Sequence, residues 1–351
     1  MQTLVTGAAG FIGSHVVRAL LRRGDRVRAL HLPGEDLRNL AGLDVELFVG
    51  DVTDPESMAK AVDGCQRVFH LAAVYALWLP DMSRLRAVNV GGTRNVLEAA
   101  RRSDVERVVF TSSIARFGGQ GLHQVATEAS DFALAPTRNL YAITKAEAHE
   151  LAVEAAQSGQ DVVIVAPTGP IGPGDLAPTP TGRLILECAK APVVVVPPTV
   201  SNFADVRDIA TGHLLADEKG VRGRSYLLGA QNYTGREVTN MVFEILGVRR
   251  PIVDLPFSVA KAVGVAALAY SKHVSHRQPL ITPSVAAIAK LGLAADCTRA
   301  VRELGLPQSP LQNAIVDAIA WFAHEGHLGD GALRRRVDDL APSTGMEGIA
   351  R

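Results

Sequence analysis

The chain has 351 residues, 47% of them hydrophobic and 21% charged, with 36 Lys and Arg against 36 Asp and Glu. That composition supplies a sizeable core, and a balanced charge without a basic stripe argues against a nucleic-acid partner. Cys65, Cys188 and Cys297 are odd in number, far apart and free of any CxxC pair, which argues against a disulfide framework or a zinc site and for a reducing cytoplasm. No metal is expected. The N-terminus opens on a strand rather than a leader, and no apolar run reaches the roughly eighteen residues of a membrane span.

Strand and helix alternate through the first half of the chain. Gln2–Thr6 is a short β-branched strand, and Phe11–Arg23 carries Ile12, Val16, Leu20 and Leu21 at helical spacing. Arg26–Leu30 and Val45–Val49 read as the second and third strands. Pro55–Val62 is a helix with Asp54 as its N-cap and proline in its first turn. Arg67–His70 is a fourth strand, Arg84–Arg101 a long helix, Arg107–Phe110 a fifth strand, Leu140–Ala156 a helix and Asp161–Val165 a sixth strand. Strands separated by helices of this length pair in parallel through right-handed crossovers.

The pattern breaks after Pro167. Pro170, Pro173, Pro178, Pro180, Pro192 and Pro197 crowd the next segment and predict loops outside the sheet. Helices are expected near Gly182–Ala189, Arg236–Leu246, Phe257–Tyr270 and Pro310–Glu325. The expected fold class is therefore α/β, a Rossmann-type doubly wound parallel sheet with a smaller C-terminal substrate-binding lobe. Residues 1–167 form the first unit, with 202–219 returning to it. Residues 168–201 and 220–328 form the lobe, and 329–351 a flexible tail. The apolar segment Phe257–Tyr270 carries Lys261 and is too short to cross a bilayer. It reads as a buried helix or as a surface that meets lipid or an apolar substrate.

Thr6–Gly13 reads TGAAGFIG, between the first strand and the first helix. Gly7 allows a tight turn, Gly10 lets a pyrophosphate approach the backbone, and Gly13 permits close helix–strand packing. Phe11, Ile12 and Gly13 then offer helix N-terminal N–H groups to the phosphates. Asp51 and Val52 follow the third strand, where a carboxylate accepts from an adenine amino group. His70-Leu71-Ala72-Ala73 ends the fourth strand with side chains small enough to leave room for a dinucleotide. Asn89, in Asn89-Val-Gly-Gly-Thr93, reads as a buried amide that ties helix to strand and organises the site. Thr111 and Pro167 complete the expected cofactor contacts.

Tyr141 and Lys145 stand four apart, on one face of a helix. An ammonium beside a phenol favours the phenolate, so the phenol is expected to ionise well below its usual value near 10. The strand before Thr111-Ser112-Ser113 delivers Ser113 to the carboxyl edge of the sheet, where ligands bind. Ser113 and Tyr141 are expected to face one crevice.

In this order these motifs, with Pro170-Ile-Gly-Pro-Gly-Asp175, closely resemble the extended short-chain dehydrogenase/reductase family over about Met1–Leu328. The chain looks most like the dihydroflavonol-reductase-like branch, and within it like proteins described as hopanoid-associated sugar epimerases. The resemblance implies Ser113, Tyr141 and Lys145 as the catalytic residues, with Lys145 also holding the nicotinamide ribose. Two positions depart from the nucleotide-sugar members. Gly169 stands where they carry an asparagine, and Ser201 where they tend to place a basic residue, so the charge-assisted donors a pyrophosphate needs are missing. Tyr75, Trp78, Leu79 and Phe117, with a rim at Pro178–Pro180, suit an apolar or aromatic ligand.

The expected function is an NAD(P)-dependent oxidoreductase that reduces a ketone or aldehyde, or oxidises the alcohol, of an apolar or aromatic small molecule. The alternatives are a sugar or nucleotide-sugar epimerase/dehydratase and a 3β-hydroxysteroid-type dehydrogenase. His31-Leu32 ends the second strand without the acid that selects NAD. Arg38 lies close enough to reach a 2′-phosphate, so NADP is expected, with NAD possible. Trp78 and Phe117 are expected to border the substrate, and the helices at 84–101 and 140–156 to pair a homodimer.

Overall fold

The computed structural model describes residues 1–75, 81–275 and 282–328. In chain order the first half is β1 (Gln2–Thr6), α1 (Phe11–Arg23), β2 (Arg26–His31), β3 (Glu46–Val49), α2 (Pro55–Val62), β4 (Arg67–His70), α3 (Ser83–Arg86), α4 (Thr93–Arg102), β5 (Arg107–Thr111), α5 (Leu140–Gln157) and β6 (Val162–Pro167). The second half is β7 (Gly169–Ile171), α6 (Pro180–Lys190), β8 (Val194–Val196), β9 (Val200–Asp205), α7 (Val206–Lys219), β10 (Ser225–Leu228), β11 (Gln231–Thr234), α8 (Gly235–Leu246), β12 (Ile252–Asp254), α9 (Phe257–Tyr270), α10 (Pro283–Leu291) and α11 (Leu311–His324).

Seven strands form one parallel sheet in the order β10-β6-β5-β4-β1-β2-β3. Both faces are buried, so inward alternation in each strand feeds two cores. In β1, Leu4 packs with Met58, Val62 and Val96 beneath α2 and α4. Its neighbour Val5 packs with Val16, Leu20 and Ile209 beneath α1 and α7. Local chemistry sets the ends of the helices. Asp54 accepts the Glu56 N–H at the start of α2, and Gly24 closes α1 in the left-handed region at φ 89°. Strand order reverses between β1 and β4, which opens a crevice at their carboxyl ends. The long helix expected over 84–101 is α3 and α4, joined by a π-helical stretch at Ala87–Gly92 that contains Asn89.

The second lobe differs from expectation in three places. The segment 202–219 does not return as one unit: β9 joins β7 and β11 in a small separate sheet, while α7 alone packs on α1. The segment 220–328 in turn gives β10 to the main sheet, where Tyr226 lies opposite Val165. Four residues are too few for periodicity to mark a buried strand, yet Tyr226, Leu227 and Leu228 are fully buried. The proline-rich stretch also holds regular structure. Pro180 occupies the first turn of α6 behind the N-cap Thr179, a position that needs no N–H. The lobe's core gathers Ile185, Val238, Val242, Ile315 and Phe322. Arg207 on α7 bridges Asp205 at 2.6 Å and the fully buried Asp317 of α11 at 2.7 Å, tying the lobe to the sheet. The expected tail at 329–351 lies outside the described residues.

Candidate active site

The glycine turn is built for a diphosphate. Gly7 has φ 69°, and a Cβ there would stand 2.8 Å from the Ala72 nitrogen. A Cβ on Gly13 would overlap the Gly7 carbonyl oxygen. Both positions are therefore closed to any side chain, which lets α1 begin directly against the end of β1. No side chain caps α1. The N–H groups at Phe11, Ile12 and Gly13 face a cavity of about 690 Å³ that runs along the crevice. These residues fit a dinucleotide.

The same cavity is lined by His31, Asp51, Val52, Leu71, Ala72, Ala73, Thr111 and Pro167, all expected at the cofactor. Asp51 is turned partly to its own loop, accepting the Thr53 N–H at 2.8 Å. Arg38 is not in the lining. Its side chain is 61% exposed and is held by Asp36 at 2.7 Å and by Glu325. An acid does stand near the end of β2, supplied from the loop: Glu35 lines the cavity and accepts the Leu32 N–H at 2.8 Å. Reading only the strand end misses it.

Ser113, Tyr141 and Lys145 meet at the middle of the cavity. The Tyr141 phenol lies near the Ser113 hydroxyl, which favours its ionised form, and the Ser113 Oγ accepts the Ala115 N–H at 3.2 Å. Lys145 Nζ donates to the Thr111 carbonyl at 2.6 Å and stands 5.2 Å from the centre of the Phe110 ring. Burial pulls the ammonium down to about 7. Desolvation raises the Tyr141 phenol above its ordinary value, opposed by the Ser113 hydroxyl. The expected depression by Lys145 is thus corrected: loss of solvent sets the direction, and only the Ser113 hydroxyl opposes it. The phenol stays protonated through the neutral range.

Polar chains behind the cavity hold these groups. The Ala72 N–H donates to Thr6 Oγ1 at 3.1 Å, and the Thr6 hydroxyl donates to His70 Nδ1 at 2.7 Å. His70 Nε2–H donates to Thr93 Oγ1 at 3.0 Å, and the Thr93 hydroxyl donates to the Asn89 carbonyl at 2.7 Å. That direction assigns the proton to Nε2, and burial holds the imidazole neutral, down to about 3. Asn89 does not line the cavity. Its Oδ1 accepts the Val74 N–H at 2.7 Å and its Nδ2 donates to Thr144 at 3.1 Å, so it fixes the exit of β4 against α5 beside Lys145. Sequence reasoning missed the pair Ser112–His149, 3.0 Å apart. His149 lies one helical turn beyond Lys145, and that spacing was its signal. It also missed Asn39 and His15, which hold the Gly174 and Pro173 carbonyls at 2.9 and 2.8 Å and lock the second lobe against α1.

The far half of the cavity is apolar. Tyr75 packs on Tyr141 with ring centres 4.6 Å apart, and Leu184, Val195, Phe203, Val285 and Ile288 form the walls. Gly169 lines this half, and a Cβ there would stand 2.9 Å from both the Asn202 carbonyl and the Phe203 ring. Phe117 is elsewhere. It is 2% exposed, packed with Ile114, Ala166 and Leu227 and edge-on to His149 at 5.2 Å, so it supports the site as core. A residue four past Ser113 has already turned away from the strand end into the protein. Trp78, expected at the substrate, and Leu79 lie outside the described residues. Among those described, no cluster of His, Cys, Asp or Glu could hold a metal.

A parallel sheet with this turn, and Ser, Tyr and Lys converging beyond it, defines a nicotinamide-dinucleotide-dependent oxidoreductase of the short-chain type. The model of the NAD dependent epimerase/dehydratase family matches residues 3–229, and the chain belongs to that family. It falls in the extended, dihydroflavonol-reductase-like branch. It is 37% identical over 334 residues to the "Putative dihydroflavonol 4-reductase" of Synechocystis, covering 92% of this chain and 95% of that one. It is 35% identical to "Sterol demethylase protein B" of Methylococcus capsulatus, covering 93% and 100%. Among solved structures, gox2253 superposes with a TM-score of 0.82 at 37% identity, covering 93% and 99%.

Proposed function

We propose that the chain reduces the ketone or aldehyde carbonyl of an apolar or aromatic small molecule, or oxidises the corresponding alcohol, as a carbonyl reductase/alcohol dehydrogenase. The observation that carries this is the junction of Ser113 and Tyr141 with a half-cavity walled by Leu184, Phe203 and Ile288. At Gly169 the Phe203 ring and Asn202 carbonyl fill the space a sugar-diphosphate-binding asparagine would need. A nucleotide sugar would find neither an asparagine at Gly169 nor a basic residue at Ser201 for its diphosphate. The relatives named for a flavonoid reductase and a sterol demethylase support the same substrate class.

The dinucleotide, when bound, supplies or takes the hydride. The Ser113 hydroxyl holds the substrate oxygen. Tyr141, kept protonated by desolvation, gives it the proton. Lys145, anchored on the Thr111 carbonyl, is placed to hold a ribose hydroxyl beside the phenol. The expectation of NADP rested on the missing acid at His31-Leu32 and on Arg38, whose side chain pairs with Asp36 and Glu325 instead. Glu35 in the lining favours NAD(H), because a carboxylate accepts ribose hydroxyls and repels a 2′-phosphate. Three buried free thiols support a cytoplasmic setting, and a homodimer through α3–α4 and α5 is part of the proposal.

The test is stoichiometric. Purified chain is given NADH or NADPH with a panel of apolar ketones and aldehydes, and separately with UDP- and dTDP-sugars. Net cofactor oxidation with the apolar panel supports the reading. Sugar turnover without net cofactor change overturns it.

A further inference from the structure

Helix α9 leaves several apolar side chains uncovered for a helix of an isolated globule. Its fully buried positions are small: Ala260 and Gly264, and Ser271, just past its end, is 1% exposed. A Cβ on Gly264 would stand 2.9 Å from the Thr282 carbonyl carbon, so the start of α10 sits almost on the α9 backbone. Phe257 and Leu268 are half-buried beside them, whereas the valines and Tyr270 face out. Val259, Val263 and Tyr270 recur at i, i+4 and i+11, with Val274 continuing the stripe, and they are 46, 47, 60 and 61% exposed. A soluble helix turns such residues inward and polar ones outward. Here Val259, Val263, Tyr270 and Val274 leave an apolar strip along one flank of the helix that needs a partner.

Charge identifies the partner. From Leu255 to Ala295 the sequence holds no Asp or Glu, yet it holds Lys261, Lys272, Arg277 and Lys290. In a chain whose charges balance overall, this stretch is wholly cationic. Lys261 stands exposed on α9 itself. Bulky apolar side chains in a stretch whose only charges are cationic fit a membrane interface that is apolar below and anionic at the headgroups. A second copy fits poorly. The strip is about 21 Å long and about 10 Å wide, so two copies would bury far less than the roughly 1,200 Å² of a stable interface, and would bring two cationic faces together. Spanning is excluded by length, since no helix among the described residues is long and apolar enough to cross a membrane.

We propose that α9 docks this protein on an anionic lipid bilayer, lying in the interface plane with Val259, Val263 and Tyr270 among the acyl chains and Lys261 at the headgroups. Docking would place α10 next to the membrane, and α10 contributes Val285 and Ile288 to the apolar half of the cavity. That the bilayer also delivers substrate rests on the substrate class proposed above. Docking itself does not, and its assay reads no turnover, so its failure leaves the catalytic reading standing.

The full chain is mixed with sedimentable vesicles of phosphatidylcholine alone, and with roughly 7:3 phosphatidylcholine to phosphatidylglycerol. The wild type is expected to sediment with the anionic vesicles and weakly with the neutral ones. The variant Val259→Ser/Val263→Ser/Tyr270→Ser should lose at least roughly tenfold in partitioning while melting as the wild type does. Tyr270→Trp should gain emission that brominated lipid quenches. Wild type that stays in solution, equal binding to both vesicle types, or a triple variant that still binds would overturn the proposal. So would light scattering that shows the triple variant halving the mass of a wild type that ignores vesicles, because a second copy would then own the strip.

Discussion

The cofactor end of the cavity is mostly backbone and small side chains: Gly7, Gly10 and Gly13 below, Ala72 and Ala73 beside them. The substrate end is side chain: Leu184 from α6, Val195 from β8, Phe203 from β9 and Ile288 from α10. The first end comes from two neighbouring strands and one turn, and buried polar chains through His70 and Asn89 hold it rigid. The second is assembled from elements of the C-terminal lobe and is held by apolar packing. A rigid backbone end tolerates no added atoms, whereas a side-chain end can trade one wall for another. That difference would let one scaffold keep its cofactor while changing its substrate.

The most damaging way to break the comparison is at the turn. Gly13→Ala puts a methyl group into the Gly7 carbonyl, and dinucleotide affinity should fall by at least about a hundredfold, near 3 kcal/mol. Isothermal titration reads this. An affinity within a few-fold of wild type would show that the end is not rigid. Next comes Phe117→Ala, which should cost about 3–5 kcal/mol in urea unfolding and leave substrate selectivity unchanged. Altered selectivity at full stability would return Phe117 to the pocket.

Acid sharpens the contrast, because buried neutral imidazoles back the cofactor end, whereas none lines the apolar walls. His70 and His15 are pushed by burial from 6.5 to about 3 and about 4. The unfolded chain therefore binds more protons than the folded one below 6.5. Stability is full above that value and falls toward those folded pKa values, by about 1.4 kcal/mol per pH unit for each histidine. Urea unfolding at stepped pH should show His70→Asn with a shallower slope, by about one proton. An unchanged slope would mean that His70 is charged in the fold. The smallest effect is expected at the other end. Leu184→Ala should move KM for an apolar substrate by roughly tenfold with cofactor affinity untouched.

The same asymmetry explains what the sequence made legible. Gly7, Gly10 and Gly13, and the pair Tyr141 and Lys145, owe their roles to spacing within one element, so their pattern survives in one dimension. Glu35 escaped notice because a loop carries it back to the end of β2. Phe117 misled because proximity to Ser113 in sequence does not survive the turn after β5. Strand β10 was hidden by its length. The wall residues Leu184, Phe203 and Ile288 carry no motif, since any bulky apolar side chain would serve there, and only the packing of the lobe brings them together.

The central claim is that Tyr141 delivers the proton in a net carbonyl reduction, and Tyr141→Phe tests it most directly. The substitution keeps the ring against Tyr75 and removes only the hydroxyl. With an apolar carbonyl substrate and NADH, the account predicts unchanged cofactor affinity and melting temperature and a turnover lowered by at least about a hundredfold. A variant that oxidises NADH at near the wild-type rate would contradict it.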